Sequence, residues 1–290
     1  MSKRHTDISD DEIRVISSDS ARRPRNRYKK IYIALATVII LALGALAVVY
    51  ALGDNDEDSV SAMINEEPVR HTVAHVSAVD SLTAGPAYAE KKDTVVNGVR
   101  LTIITPRNAV PILEIGEQVL DDPTIVLAAQ AADIRSDNGT IAGACVIGGE
   151  LISKGCAKAG FCAIINGETT IGVADATPMF EQALSDDGYF FRQYPLVIAG
   201  QIVENKPRGK AIRKALAEIG GDIAVVYSHR RLTFHDFSQT LVDAGVRNAI
   251  YLVGSRSSGF YVDADGNRFS FGNDKRQNID NINFIVWRQR

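Results

Sequence analysis

From about Asp93 onward, short apolar runs alternate with tight-turn dipeptides. TVV-Asn97-Gly98-VRLTII, ACVI-Gly148-Gly149-ELI, CAII-Asn166-Gly167-ETTIGV and PLVIA-Gly200-QIV each read as strand, turn and strand. EI-Gly220-Gly221-DIAVVYS and FYVDA-Asp265-Gly266-NRFSF repeat the pattern. Asn-Gly, Gly-Gly and Asp-Gly supply the positive φ that two-residue hairpins need. Antiparallel sheet is therefore expected to dominate. Two segments break the rhythm as helices. Thr177-Pro178 before MFEQALS offers an N-cap and a proline at the first helical position. Thr233 to Ala244, stopped by Gly245, spaces Phe234, Phe237, Leu241 and Val242 on one face. NAIYLVG after it is expected as a buried strand. The pattern predicts one α+β domain over residues 93–290, mainly antiparallel sheet with a few packed helices. No repeat and no alternating βα order is present.

Ahead of this domain the texture differs. Ile31 to Leu52 is an uncharged, almost wholly apolar run. A helix of that length spans roughly 33 Å, enough for a bilayer core. Arg22, Arg23, Arg25, Arg27, Lys29 and Lys30 precede it, and Asp54, Asp56, Glu57 and Asp58 follow it. The positive-inside rule then keeps the N-terminus in the cytoplasm and places the rest outside. The expected organisation is a basic cytoplasmic tail (1–30), a single transmembrane helix (31–52), a polar stalk (53–92) and the domain (93–290). The apolar run is longer than the core of a cleaved signal peptide, so an uncleaved signal-anchor is expected.

Charge sharpens that reading. The 290-residue chain holds 32 Lys/Arg and 35 Asp/Glu. Nine cations and five anions fall in residues 1–30, a net of +4, and 23 and 30 fall in residues 53–290, a net of -7. An acidic body behind a basic tail argues against nucleic-acid binding. Only three cysteines are present, Cys145, Cys156 and Cys162. In an oxidising compartment Cys156 and Cys162, close in sequence, are the first choice for a pair. No C-x-x-C or nearby histidine suggests zinc, and neither a metal nor a cofactor is expected.

Candidate chemistry comes from polar residues in apolar surroundings. Gln130 and Asp133 interrupt IVLAAQAADIR, and a buried carboxylate needs a partner or a function. Arg192 and Gln193 interrupt GYFFRQYPLV, whose Tyr189, Phe190, Phe191 and Tyr194 are candidates for a ligand wall. Arg213 and Lys214 in KAIRKALA read by default as a solvated charge run. Gly254-Ser255-Arg256-Ser257 leaves a buried strand as a Gly/Ser-rich loop with free amides and hydroxyls. His229 and His235 have no evident nucleophile partner. Asp263 and Asp265 in DADGN are expected in a hairpin turn, since the loop lacks the later glutamate of a calcium hand.

In order and spacing, AAQAADI (128–134), GYFFRQYPLVIAG (188–200), IRKALA (212–217) and LVDAGVRNAIYLVGSRSSG (241–259) resemble the phosphodiester glycosidase domain family, with wording similar to its Bacteroidetes members. That resemblance covers about half of the chain. It implies hydrolysis of a sugar 1-phosphodiester at the glycosidic C1–O bond, releasing free sugar, with α-linked N-acetylglucosamine the best-known case, and an exterior that is a periplasm. It makes Asp133 the candidate carboxylate, as base or nucleophile, and Arg192 and Arg213 the candidate phosphate ligands. Gln130, Gln193 and Asn248 are candidates for holding the sugar, with Ser255, Arg256 and Ser257 in the anion-binding loop. One departure stands out. The family's N-L-D-G-G-x-S reads Tyr251-Leu252-Val253-Gly254-Ser255-Arg256-Ser257 here, so valine replaces a carboxylate. Asp175 and Asp236 are the nearest substitutes by pattern.

The expected function is a membrane-anchored periplasmic hydrolase of sugar 1-phosphodiesters, with a sugar-phosphate or envelope glycan as its ligand and the membrane held through Ile31–Leu52. The alternative is a non-catalytic glycan or phospho-ligand binding module on the same fold.

Overall fold

The computed structural model describes residues 85–289, other than residues 156, 255–256 and 273–278, and the backbone of one strand ahead of them, β1 (Val73–Ala78). The tail, the apolar run Ile31–Leu52, Cys156, Ser255 and Arg256 lie outside the described residues. Among the described residues no helix is long and apolar enough to cross a membrane.

The turn dipeptides do what their φ preferences dictate. β2 (Tyr88–Val96) and β3 (Val99–Arg107) meet at Asn97-Gly98, with φ of 48° and 75°. β6 (Cys145–Ile147) turns into β7 (Glu150–Ser153), and β8 (Gly160–Ile165) into β9 (Glu168–Val173). β11 (Pro195–Ile198) turns into β12 (Gln201–Ile202), and β13 (Lys214–Ile219) into β14 (Asp222–Ser228). β16 (Ser258–Val262) pairs with β17 (Arg268–Gly272) across the DADGN turn, where Asp263 Oδ1 accepts the amides of Asp265 and Asn267 at 3.0 and 2.8 Å. The remaining strands are β4 (Ala109–Ile115), β5 (Ile125–Gln130), β10 (Tyr189–Gln193), β15 (Val246–Leu252) and β18 (Asn283–Gln289).

These strands form three sheets, ordered β1-β9-β8-β10-β6-β7, β12-β11-β15-β13-β14-β3-β2 and β17-β16-β5-β18-β4. Every pairing among the described strands is antiparallel. The two expected helices are present as α1 (Pro178–Ser185), capped by Thr177, and α2 (Phe234–Asp243), capped by Thr233. The expected α+β class is corrected by this arrangement, because the fold is β-rich. Each helix covers one patch of a sheet, and neither builds a layer. β1 and the start of β2 also fall within the stretch expected as a stalk. β2 gave little signal because it is a mostly exposed strand at the edge of its sheet.

One core lies among all three sheets. Leu216, Val225, Ile250 and Leu252 meet Leu127, Ala129, Ile285 and Trp287, and both sets meet Cys162, Ile164, Ile171 and Phe191. Each sheet is covered on its other face as well. α2 lays Phe234, Phe237 and Leu241 on Ala215, Ala217, Val226 and Tyr251, and α1 lies over Phe161, Ala163 and Phe190. Val119, in a single 3-10 turn, packs on Ala128, Phe260, Phe284 and Val286. Adjacent residues of one strand, such as Ala215 and Leu216, thus enter different cores. With both faces covered, these strands read as apolar runs. Cys145 and Cys162 are buried free thiols flanking β10, each opposite Phe191. Burial pushes the Cys145 thiol up to about 12 and the Cys162 thiol up as well, so neither is a reactive thiolate near neutrality.

The β11–β12 turn has a non-glycine residue, Ala199, at φ 51°. Asn248 on β15 holds it: its Oδ1 accepts the Ala199 amide at 3.0 Å while its Nδ2 donates to Glu218. Asn248→Ala is expected to lower unfolding free energy by about 1–3 kcal/mol, measured in urea, because a turn amide loses its acceptor.

Candidate active site

Strand ends from all three sheets meet along one rim. β5 ends at Gln130, opposite Phe284 at the start of β18, and Ala129 pairs with Gly259 near the start of β16. Leu252 at the end of β15 pairs with Lys214 at the start of β13. Gln193 ends β10 opposite Gly160, and the next residue, Tyr194, accepts the Tyr251 amide at 2.8 Å. The chain leaving β5 is fastened by Asn283, whose Oδ1 accepts the Ala132 amide at 2.7 Å and whose Nδ2 donates to the Ala132 carbonyl at 3.1 Å. Asp133 follows immediately.

Asp133 and Lys158 form the centre of the rim. They are 5% and 2% exposed, and Lys158 Nζ donates to Asp133 Oδ2. The same ammonium donates to Gln193 Oε1 at 2.9 Å and lies 4.6 Å above the Tyr194 ring. Gln193 Oε1 also accepts the Tyr194 amide at 3.0 Å. Asp133 Oδ1 and Gln193 Nε2 in this cluster are buried without a hydrogen-bond partner, as are Gln130 Oε1 and Ser258 Oγ on the face of the third sheet that carries Phe284 and Phe260. Each such atom costs free energy until something pairs with it, which makes the Asp133–Gln193 pair the candidate place for a polar ligand.

Beside them Lys214, 1% exposed, donates to the carbonyls of Ser257 at 2.7 Å and Gly254 at 3.3 Å and to Ser257 Oγ. Ser257 Oγ in turn bonds the Val253 and Gly254 carbonyls. The expected solvated run at 213–214 is corrected here. Arg213 and Lys214 point to opposite faces of β13, and both faces are covered. Arg213, 1% exposed, stacks 4.0 Å from the Phe234 ring and donates to the carbonyls of Leu232 at 3.1 Å and Gly209 at 2.7 Å.

The rim therefore gathers Gln130, Asp133, Gln193 and Ser257 from the expected set. Arg192 lies on the opposite face of β10 from Gln193. Its guanidinium gathers the carbonyls of Lys158, Ala174 and Asp175 at 2.9, 2.7 and 2.8 Å. It thereby fixes the loop that carries Lys158. Arg213 holds the helix side of its sheet, and Asn248 sits four residues before the rim end of β15. Of the expected aromatic wall only Tyr194 reaches the rim. Phe190 stacks on Phe161 at 5.6 Å and Phe191 enters the shared core. Asp175 meets Arg192 through its carbonyl, and Asp236 is exposed in the first turn of α2.

Lys158, Lys214, Ser258 and Asn283 were not among the expected site residues. A lysine beside small residues, as in KGCAKAG, gives no sign that it ends beneath a carboxylate from another sheet. Among the described residues no three His, Cys, Asp or Glu side chains come together as a metal site.

No family model matches the chain, and no curated protein matches it. A solved structure of the zebrafish N-acetylglucosamine-1-phosphodiester alpha-N-acetylglucosaminidase catalytic domain, auto-inhibited by its pro-peptide, is similar to 76% of this chain over 89% of its own length. The identity is 12% and the TM-score 0.52, so the shared property is the fold. A hypothetical protein from Synechocystis matches at 13% identity and a TM-score of 0.43, covering 70% of this chain and 62% of that one.

Lys158→Met strands the Asp133 carboxylate in the interior and is expected to cost about 3–5 kcal/mol in urea unfolding. Lys158→Met/Asp133→Leu should recover most of that loss, because no charge remains buried.

Proposed function

We propose that this protein hydrolyses sugar 1-phosphodiesters at the glycosidic C1–O bond, releasing free sugar and a phosphomonoester. The observation that carries the reading is Asp133, whose Oδ2 is held by Lys158 while its Oδ1 is buried and unpartnered. The fold shared with a phosphodiester glycosidase supports it. In this reading Asp133 Oδ1 takes a proton from a water attacking C1, and the bond from C1 to the phosphate oxygen breaks. Glycosidases commonly need a second carboxyl group as acid. The phosphomonoester leaves as a stable anion, so proton donation matters less, and one carboxylate at the rim suffices despite Val253. Gln193, tied to Asp133 through Lys158, offers an unpaired amide that positions a sugar hydroxyl. N-acetylglucosamine is the proposed sugar. The apolar run Ile31–Leu52 and its flanking charges support a membrane anchor with the domain in a periplasm.

A second reading, a binding module without turnover, is favoured by one observation. The position at which the resembled family has a carboxylate is Val253, and its carbonyl already accepts Ser257 Oγ.

The test is hydrolysis of UDP-N-acetylglucosamine by the full chain in ¹⁸O-water. Label is expected in the free sugar, with UDP unlabelled, and Asp133→Asn should lower kcat at least about 100-fold with KM little changed. Label in phosphate would mean P–O cleavage and overturn the assignment. Binding without turnover would select the module.

A further inference from the structure

A second polar feature shares no residue with the Asp133 cluster. A cleft of about 440 Å³ lies between α2, the β2–β3 turn and the loops before α2. It falls within the size range of small-molecule sites. Its lining mixes cations, carboxylates, amides and apolar side chains. Lys210, Arg230 and Arg231 bring three cations to it. Among the described residues none of the three makes an ion pair, a property they share with other exposed cations such as Lys154 and Arg247, so their charge is open to a ligand. The Arg230 and Lys210 side chains make no hydrogen bond either, and Arg231 uses only its Nε, on the Lys210 carbonyl at 2.9 Å.

Another group of lining residues is neutral and acidic. Asp243 is held open by Asn97, which donates to Oδ2 at 2.6 Å, and by Gln239, which donates to Oδ1 at 2.8 Å. Each carboxylate oxygen keeps a further lone pair for a hydroxyl donor. Asp236 adds a second exposed carboxylate. Val99 and Leu232, both 4% exposed, give the lining an apolar part. A bare anion would need only the cations and would be repelled by Asp236 and Asp243. A hydroxylated ring with one phosphate uses both kinds of group: C–H groups on Val99 and Leu232, hydroxyls on Asp243, Asp236 and Gln239, and phosphate oxygens on the two guanidinium groups and Lys210, while His235 is taken by Glu204.

We infer that this cleft binds a phosphorylated sugar as a site separate from the rim. It does not depend on the rim's chemistry. A chain acting on, or holding, phosphate-linked glycans would gain from it a second hold on the ligand.

The experiment is calorimetric titration of the full chain in detergent micelles with glucose 1-phosphate, inorganic phosphate and glucose. The titrations use the chain with Asp133 intact, for which glucose 1-phosphate, a monoester, is not the proposed substrate of the rim. Glucose 1-phosphate is expected to bind at least about tenfold more tightly than phosphate or glucose. Arg230→Ala and Lys210→Ala, both at exposed positions, should each weaken it about five- to tenfold, with the loss shrinking as salt is raised. Gln239→Ala should weaken glucose 1-phosphate while leaving phosphate unaffected. Phosphate binding as tightly as glucose 1-phosphate would overturn the inference, as would an affinity unmoved by all three variants. An absence of binding would overturn it too. None of these results bears on whether Asp133 supports hydrolysis.

Discussion

A lysine and an aspartate taken out of water must be kept together. Lys158 comes from the β7–β8 loop and Asp133 from the chain leaving β5, so their pairing ties the first sheet to the third. Lys214 ties the second sheet to the third in the same way, through the Ser257 and Gly254 carbonyls. Tyr194 and Tyr251 join the first to the second by a main-chain bond. Apolar packing holds the three sheets along their length. At the rim polar bonds hold them, and those are directional, so they set where each strand ends.

This division is also why the rim is the candidate site. An apolar core is satisfied by any close packing, and it offers a ligand nothing. The rim leaves Asp133 Oδ1 and Gln193 Nε2 buried and without partners. The surrounding network supplies the rigidity that lets such atoms persist. Arg192 contributes from behind by gathering three carbonyls around the Lys158 loop, which makes it a positioning residue for the pair. The charge at the centre is balanced, one ammonium against one carboxylate, so a polar ligand at this candidate site would meet no strong net field.

The cleft beside α2 follows a different rule. Its cations are exposed, and water pays for them, so no internal partner is required. The rim's groups were placed by the demands of burial. Those at Lys210, Arg230 and Arg231 answer to no such demand.

Local signals determined a good deal. Asn97-Gly98 and its counterparts favour turns with positive φ, so they specified hairpins, and with them antiparallel pairing. Thr177-Pro178 and Thr233 specified where α1 and α2 begin. The polarity of Gln130, Asp133 and Gln193 inside apolar runs was enough to single them out, because burying such groups without purpose is costly. What sequence left open was everything that depends on contact between distant segments. Arg213 and Lys214 read as solvated because adjacent charges usually are. Only a sheet covered on both faces sends one to an aromatic ring and the other to a loop carbonyl. Lys158 carried no local mark, since its burial is caused by Asp133, 25 residues away and on another sheet. The balance of helix and strand is not fixed locally for a similar reason. Two short helices were legible, but whether they form a layer or merely cover a patch is decided by how three sheets close around one core.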